Sequence, residues 1–191
     1  MRDLEPYLIS NKPGNVVGIT FDDGYQNNLL NALPVLCQNG FTATCYGVSS
    51  QIGGTNIWDT GVVAPAALMT REDWKVWSDA GMDIGAHTRT HANLLNLPAS
   101  KAREEISESR LELQKVLDCE VRHFCYPYGK YLEEHVQMVA EAGYLTATTT
   151  RRGRVKNGDD LHRLKRIMVA RATNPLQFVL KVASSYEDRR S

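Results

Sequence analysis

Residues 16–28 read VVGITFDDGYQNN. The apolar run at 16–20 has the β-branched character of a buried strand. It ends in two adjacent carboxylates, Asp22 and Asp23, followed by Gly24. Neighbouring anions repel, and this pair stands where a buried strand should stop. A cation would offset the repulsion and invert the usual titration logic of the pair. One carboxylate would then bind the ion while the other accepted a proton from water. A plain turn or a helix cap is the competing reading, and the rest of the chain bears on the choice.

Outward from this stretch, β-rich runs alternate with helical patterns. A helix is expected over 28–39, with Pro34 early in it and Gly40 as its stop. A strand at 43–48 follows, then a long loop containing Trp58. Thr70 opens TREDW, a capping-box-like start with Asp73 in place of glutamate, and that helix ends near Gly81. Strands are expected at 82–86, 123–126, 145–149 and 166–170. Helices are expected at 99–117, on the spacing of Ala102, Ile106, Leu113 and Leu117, and at 132–142, stopped by Gly143. Thr173-Asn174-Pro175 opens a last helix. Alternation of this kind implies an α/β fold with a mostly parallel sheet and crossover helices. With ~6 strands, an open doubly wound sheet and an incomplete barrel both fit. No linker or repeat divides residues 1–191, so one domain is expected.

The bulk numbers narrow the function classes. Hydrophobic residues make up 42% and charged residues 23%, as in an ordinary globular domain. Twenty-two basic residues balance 22 acidic ones, which gives no electrostatic reason to propose nucleic acid as a partner. The run TRRGRVK is a local exception, read as a solvated loop or as a contact for an anionic substrate. No apolar stretch approaches membrane-spanning length. The opening MRDLEPYLISNKPG does not read as a signal peptide, so a cytoplasmic location is expected unless the chain is a processed fragment. Cys37, Cys45, Cys119 and Cys125 show no CxxC spacing and read as buried thiols in a reducing compartment. The sequence leaves the oligomeric state open.

Reactive groups in parallel α/β architectures gather where strands end. Three unusual clusters occupy such places: Asp22-Asp23-Gly24, GAHTRTH at 85–91, and YPYG at 126–129. The four-residue spacing of His87 and His91 lets both imidazoles approach one ion, from a helical turn or a curled loop. Alone, such a pair reads equally as two hydrogen-bonding loop histidines. With a carboxylate added it forms a facial set that leaves coordination positions for water.

TFDDG followed by HTRTH resembles the polysaccharide deacetylase family, carbohydrate esterase family 4, and FCYPYG is similar to a variant of its third motif. The likeness spans roughly residues 16–170. It implies a deformed, incomplete (β/α) barrel and removal of acetyl groups from N-acetylated saccharides. It implies Asp22 as catalytic base, Asp23, His87 and His91 as ligands of a divalent metal, expected to be zinc, and the Tyr128 backbone N–H as an oxyanion donor.

The chain departs from the family pattern in two places. Many members begin the third motif with an arginine that orients the base, where this chain has Cys125. Arg166, at the start of the expected 166–170 strand, is the proposed substitute; a surface salt bridge is its ordinary alternative. Many members also supply a late leucine-histidine motif for the amine proton. His162 sits nearby but reads as a solvated loop residue, His123 as a core histidine and His135 as a helix-face residue. Trp74 and Trp77, three apart on a helix, read as core. Trp58 in the long loop is the expected cleft wall and sugar platform, with Tyr126 expected to line the same pocket. Rival functions are a catalytically silent carbohydrate-binding protein on this scaffold and a metal-dependent amidase for a small non-sugar amide. A glycosidase using Asp22 and Asp23 is disfavoured, because adjacent residues rarely flank a sugar bond from ~5 Å or more.

Overall fold

The computed structural model describes residues 1–10 and 12–189. Six parallel strands form one sheet in sequence order: β1 (Ile19–Phe21), β2 (Ala43–Gly47), β3 (Asp83–Ala86), β4 (His123–Cys125), β5 (Thr146–Arg152) and β6 (Leu164–Arg166). Strands β1 and β6 are the two edges. In a flat sheet five spacings of ~4.8 Å would hold them roughly 24 Å apart. Yet Arg166 at the end of β6 reaches Asp22 just past β1 with two hydrogen bonds of 2.7 and 2.8 Å. No arginine spans the flat distance, so the sheet is curled into the expected incomplete barrel. A seam is left between β1 and β6, crossed by that guanidinium.

Helices α1 (Glu5–Leu8), α2 (Leu33–Gln38), α3 (Arg71–Asp79), α4 (Ala99–Leu117), α5 (Glu133–Glu141) and α6 (Pro175–Ala183) complete the chain. The strands have two faces with period two. Cys45, Ile84, Phe124 and Ala147 pack with Trp74, Trp77, Ile106, Leu113 and Val139 from the helices. Their neighbours Tyr46 and Cys125 belong instead to the concave side, with Leu164, Leu4 and Leu8. Trp74 and Trp77 are core, as their spacing implies.

Several boundaries differ from expectation, each for a physical reason. β1 begins at Ile19 because its partner begins at Ala43; Val16 and Val17 precede any pairing and are exposed. The expected 28–39 helix divides into a π-helical turn at Asn28–Ala32 and α2, with Pro34 near the start of α2. Pro34 has no N–H to continue a regular ladder upstream. β6 lies at Leu164–Arg166 rather than 166–170, because Leu164 is the residue that fills the barrel, while Met168 and Val169 face outward. Of the four thiols only Cys45 and Cys125 are buried; Cys37 is exposed and Cys119 half-buried, correcting the expectation that all are interior. No described helix is long and apolar enough to cross a membrane.

Candidate active site

The three clusters and Arg166 meet at the carboxyl ends of the strands. Thr20 on β1 and Asp22 just past its end share the concave side, and Arg166 donates to both from across the seam. Asp23 then turns left-handed at φ 73°, and Gly24 follows at φ 78°. A side chain at Gly24 would lie 2.8 Å from the Trp74 ring, so the third letter of Asp-Asp-Gly is a requirement of both conformation and space. The turn swings the Asp23 carboxylate away from Asp22 and toward the β3 loop.

Asp23 Oδ1 lies 3.4 Å from His87 Nε2 and 3.2 Å from His91 Nε2. All three donor atoms fall within 4.8 Å of one another. Donors held ~2.1 Å from one tetrahedral ion stand about 3.4 Å apart, so this set has the spread of a coordination sphere. Two imidazoles and a carboxylate suit zinc and its neighbours. The outer contacts fit as well. His87 Nδ1 donates to the Cys125 carbonyl at 2.7 Å, so with a cation at the site the neutral ring would present its Nε2 lone pair to that ion. His91 Nδ1 lies 3.1 Å from the Tyr128 hydroxyl. Asp22, His87 and Cys125 form a second close triad, but both Asp22 oxygens are engaged by Arg166, and the Cys125 thiol also accepts from Arg166 at 3.3 Å. The Asp23 triad is therefore the better cation site.

The two neighbouring carboxylates have different surroundings. Burial pushes the Asp23 carboxyl up, but the imidazoles of His87 and His91 outweigh it and hold it well below the usual range. Burial likewise raises Asp22, and the two-pronged Arg166 guanidinium more than offsets this, so Asp22 is an anion at neutral pH. Thus Asp22 sits against a fixed cation and Asp23 against two ligand-type nitrogens.

Among the described residues, five that are not glycine have left-handed backbone: Asp23, Thr88, His91, Asp118 and Tyr128. Asp118 terminates α4; the other four ring the site. Such conformations cost about 1–3 kcal/mol each and persist where the surroundings over-determine them. Gly129 beside Tyr128 is at φ 65°, and a Cβ there would collide with Thr150.

The loop after β2 reaches over the site. It is tied to the Asp-Asp-Gly turn by Met69 N–H to the Gly24 carbonyl at 2.8 Å and Gln26 N–H to the Ala67 carbonyl at 3.0 Å. This brings Trp58 onto His91, rings stacked at 4.4 Å between centroids. Tyr128, half-exposed, meets the same imidazole edge-on.

Tyr126 is a correction. Its ring is fully buried, stacked on Tyr131, and its hydroxyl donates to the His162 carbonyl. Period two puts it on the helix-facing side with Phe124, so it packs rather than lining the mouth. His162 donates from Nε2 to the Tyr144 carbonyl at 2.9 Å and is committed there. His123 and His135 are buried away from the cluster. Sequence reasoning missed Glu105 and Glu112 of α4, whose carboxylates hold the loop carrying the histidines; no motif marks them.

A family model described as polysaccharide deacetylase matches residues 9–147. The chain is 26% identical over 161 residues to the poly-beta-1,6-N-acetyl-D-glucosamine N-deacetylase of Staphylococcus epidermidis, covering 83% of this chain and 56% of that protein. It spans about half the length of the curated relatives it matches. Among solved structures it is similar to the Streptococcus pyogenes deacetylase PplD in complex with acetate, with a TM-score of 0.82 at 24% identity, covering 95% of this chain and 77% of that one. It is also similar to the polysaccharide deacetylase BC0361 from Bacillus cereus, with a TM-score of 0.72 at 27% identity, covering 86% and 50%.

Proposed function

This chain belongs to the polysaccharide deacetylase family, and we propose that it is a metal-dependent hydrolase removing N-acetyl groups from an acetamido sugar in a polysaccharide, glycolipid or saccharide precursor. The observation that carries the reading is the shared vertex: one Asp23 oxygen faces both imidazole Nε2 atoms, with a second carboxylate, Asp22, on the adjacent residue. Asp23, His87 and His91 would hold the ion, with zinc the ion the donor set suits. When bound, it supplies a Lewis acid that acidifies water and polarises the acetamide carbonyl.

The chain's own groups do the rest. Asp22 accepts the proton of the attacking water; each of its oxygens keeps a lone pair beyond the one used by Arg166. Its lowered pKa makes it a weak base, one that would suit a water made more acidic by an ion held at Asp23, His87 and His91. Water adds to the acetamide carbon, and the Tyr128 N–H donates to the developing oxyanion. The C–N bond then breaks, acetate leaves, and the amine takes up the proton Asp22 received. A low pKa favours that return, and none of the other described histidines is placed to supply it. Arg166 keeps Asp22 ionised between turnovers. Trp58, with one face on His91, offers its other face to a pyranose ring.

Metal analysis combined with an acetate-release assay on N-acetylglucosamine oligomers tests the proposal. The expected result is bound zinc and acetate release, with Asp22→Asn keeping the metal and losing turnover. That no further histidine stands beside the cluster among the described residues favours one rival, a saccharide-binding protein without turnover. Oligomer binding with no acetate release over several metals and pH values would establish that rival instead.

A further inference from the structure

His87 and His91 are four residues apart, a spacing that a helix would align without help. Here the backbone between them is not helical: both Thr88 and His91 are left-handed. Within the loop one side-chain bond, Ala92 N–H to the Thr88 hydroxyl at 3.2 Å, spans His91; the other restraints come from outside it.

The loop is gripped from two sides. Carbonyls of Thr88 and Arg89 accept from the Ser49 and Ser50 N–H groups after β2, at 3.3 and 3.0 Å. The opposite side belongs to α4. Glu105 Oε2 accepts both the Arg89 N–H at 2.9 Å and the Thr90 N–H at 2.8 Å, and Oε1 accepts the Thr90 hydroxyl at 2.8 Å. Two turns along the same helix, Glu112 accepts from Arg89 Nε at 2.7 Å and from the Ser49 hydroxyl at 2.6 Å. Charge-assisted bonds of this kind are about twice as strong as neutral ones. Successive N–H groups converging on one carboxylate also hold two peptide planes at once. Beneath them α4 is anchored by buried Ala102, Ile106 and Leu113, so the grip rests on the core.

We infer that Glu105 is a positioning residue for the second metal ligand: by clamping the Arg89 and Thr90 amides it sets where His91 stands relative to His87, and thereby sets the affinity of the site for its ion. The inference rests on the metal-centre reading above. Outer contacts of this type typically change metal affinity by roughly 10–100-fold.

The test is zinc affinity, measured by competition with a chromogenic chelator, for the parent chain and three variants. Glu105→Ala removes all three bonds and is expected to weaken zinc roughly 10–100-fold. Glu105→Gln can keep the same geometry, its oxygen accepting both amides and its NH2 donating to the Thr90 hydroxyl, and is expected to stay within about threefold of the parent. Glu108→Ala, one turn along α4 with its side chain exposed, is the control and is expected to match the parent. Thr90→Val, which loses only the hydroxyl bond, reads the same direction with a smaller loss should Glu105→Ala not fold. Glu105→Ala binding zinc within twofold of the parent, or Glu105→Gln losing as much as Glu105→Ala, overturns the clamp while leaving the metal centre standing. A parent chain that binds no zinc overturns both.

Discussion

Histidine meets carboxylate at both ends of this barrel, in two different ways. At the amino ends of the strands, His123 Nε2 lies 3.2 Å from Glu5 Oε1 and 3.7 Å from Asp83 Oδ2, while its Nδ1 meets the Thr146 hydroxyl at 2.9 Å. Both ring nitrogens are thus engaged by oxygen, and Arg122 also pairs with Glu5 at 3.1 Å. At the carboxyl ends, two imidazoles point Nε2 at one oxygen of Asp23, and their Nδ1 atoms are engaged by a carbonyl and a hydroxyl behind them. In the first arrangement the carboxylates are shared with other cations, Arg122 on Glu5 and the N-terminal ammonium on Asp83, and only one imidazole is present. The second directs three lone-pair atoms to one centre and needs positive charge there. A histidine beside a carboxylate is therefore a poor mark of a metal centre; converging donors, outer contacts on the far nitrogens and left-handed backbone together are a good one.

The comparison breaks most visibly on deletion of the shared vertex. Asp23→Ala should abolish stoichiometric zinc and lower acetate release by ~10³-fold or more, the several kcal/mol of a lost Lewis acid. His123→Gln should leave zinc stoichiometry at the parental value. Equal zinc loss in the two variants would erase the distinction between the ends.

Asp22→Asn separates charge from coordination within the carboxyl end. Turnover should fall by roughly 10²–10⁴-fold, the usual size of a lost general base, with zinc content unchanged. Parental turnover in this variant would remove Asp22 from the mechanism.

Arg166→Met is expected to act on pH more than on metal. Arg166 is what holds the Asp22 carboxyl down against burial, so removing it lets burial raise that pKa. The acidic limb of kcat/KM should then move to higher pH, with zinc affinity close to the parent's. An unmoved limb would show that the guanidinium does not tune the base.

The smallest effect concerns stability at the amino end. Burial, its largest influence, holds the His123 imidazolium below the ordinary histidine range, so the unfolded chain binds the proton more readily than the folded one. Stability from this residue is present above about pH 6.5 and is lost as pH falls below it. Urea titrations across that window should show a shallower pH dependence for His123→Gln, with an overall cost of roughly 1–3 kcal/mol.

Much of this was legible in the chain itself. Alternating strands and helices gave the parallel sheet, and the placement of Asp-Asp-Gly, HTRTH and YPYG after strands gave the end at which they gather. Trp58 was expected at the cleft wall because it stood in a long loop, off any core periodicity, and its ring lies on His91. Tyr126 was readable too, since it shares parity with Phe124, but motif membership obscured that simpler rule. Arg166 was expected to orient the base only through the likeness of its LKRI segment to the family; the pairing itself had no local signal. Arg166 meets Asp22 across 144 residues, and only closure of the sheet brings them together. Glu105 looks like any solvated helix glutamate, because its role depends on a loop packed against α4 rather than on its neighbours in sequence.

The seam between β1 and β6 ties architecture to chemistry. Arg166 pins the first strand to the last through the carboxylate proposed as the base, so one ion pair is both a fastener and a titration control. Any strain that spread the sheet edges would lengthen that pair and make the base easier to protonate. Mechanical looseness in this fold would therefore register first as a change in acidity.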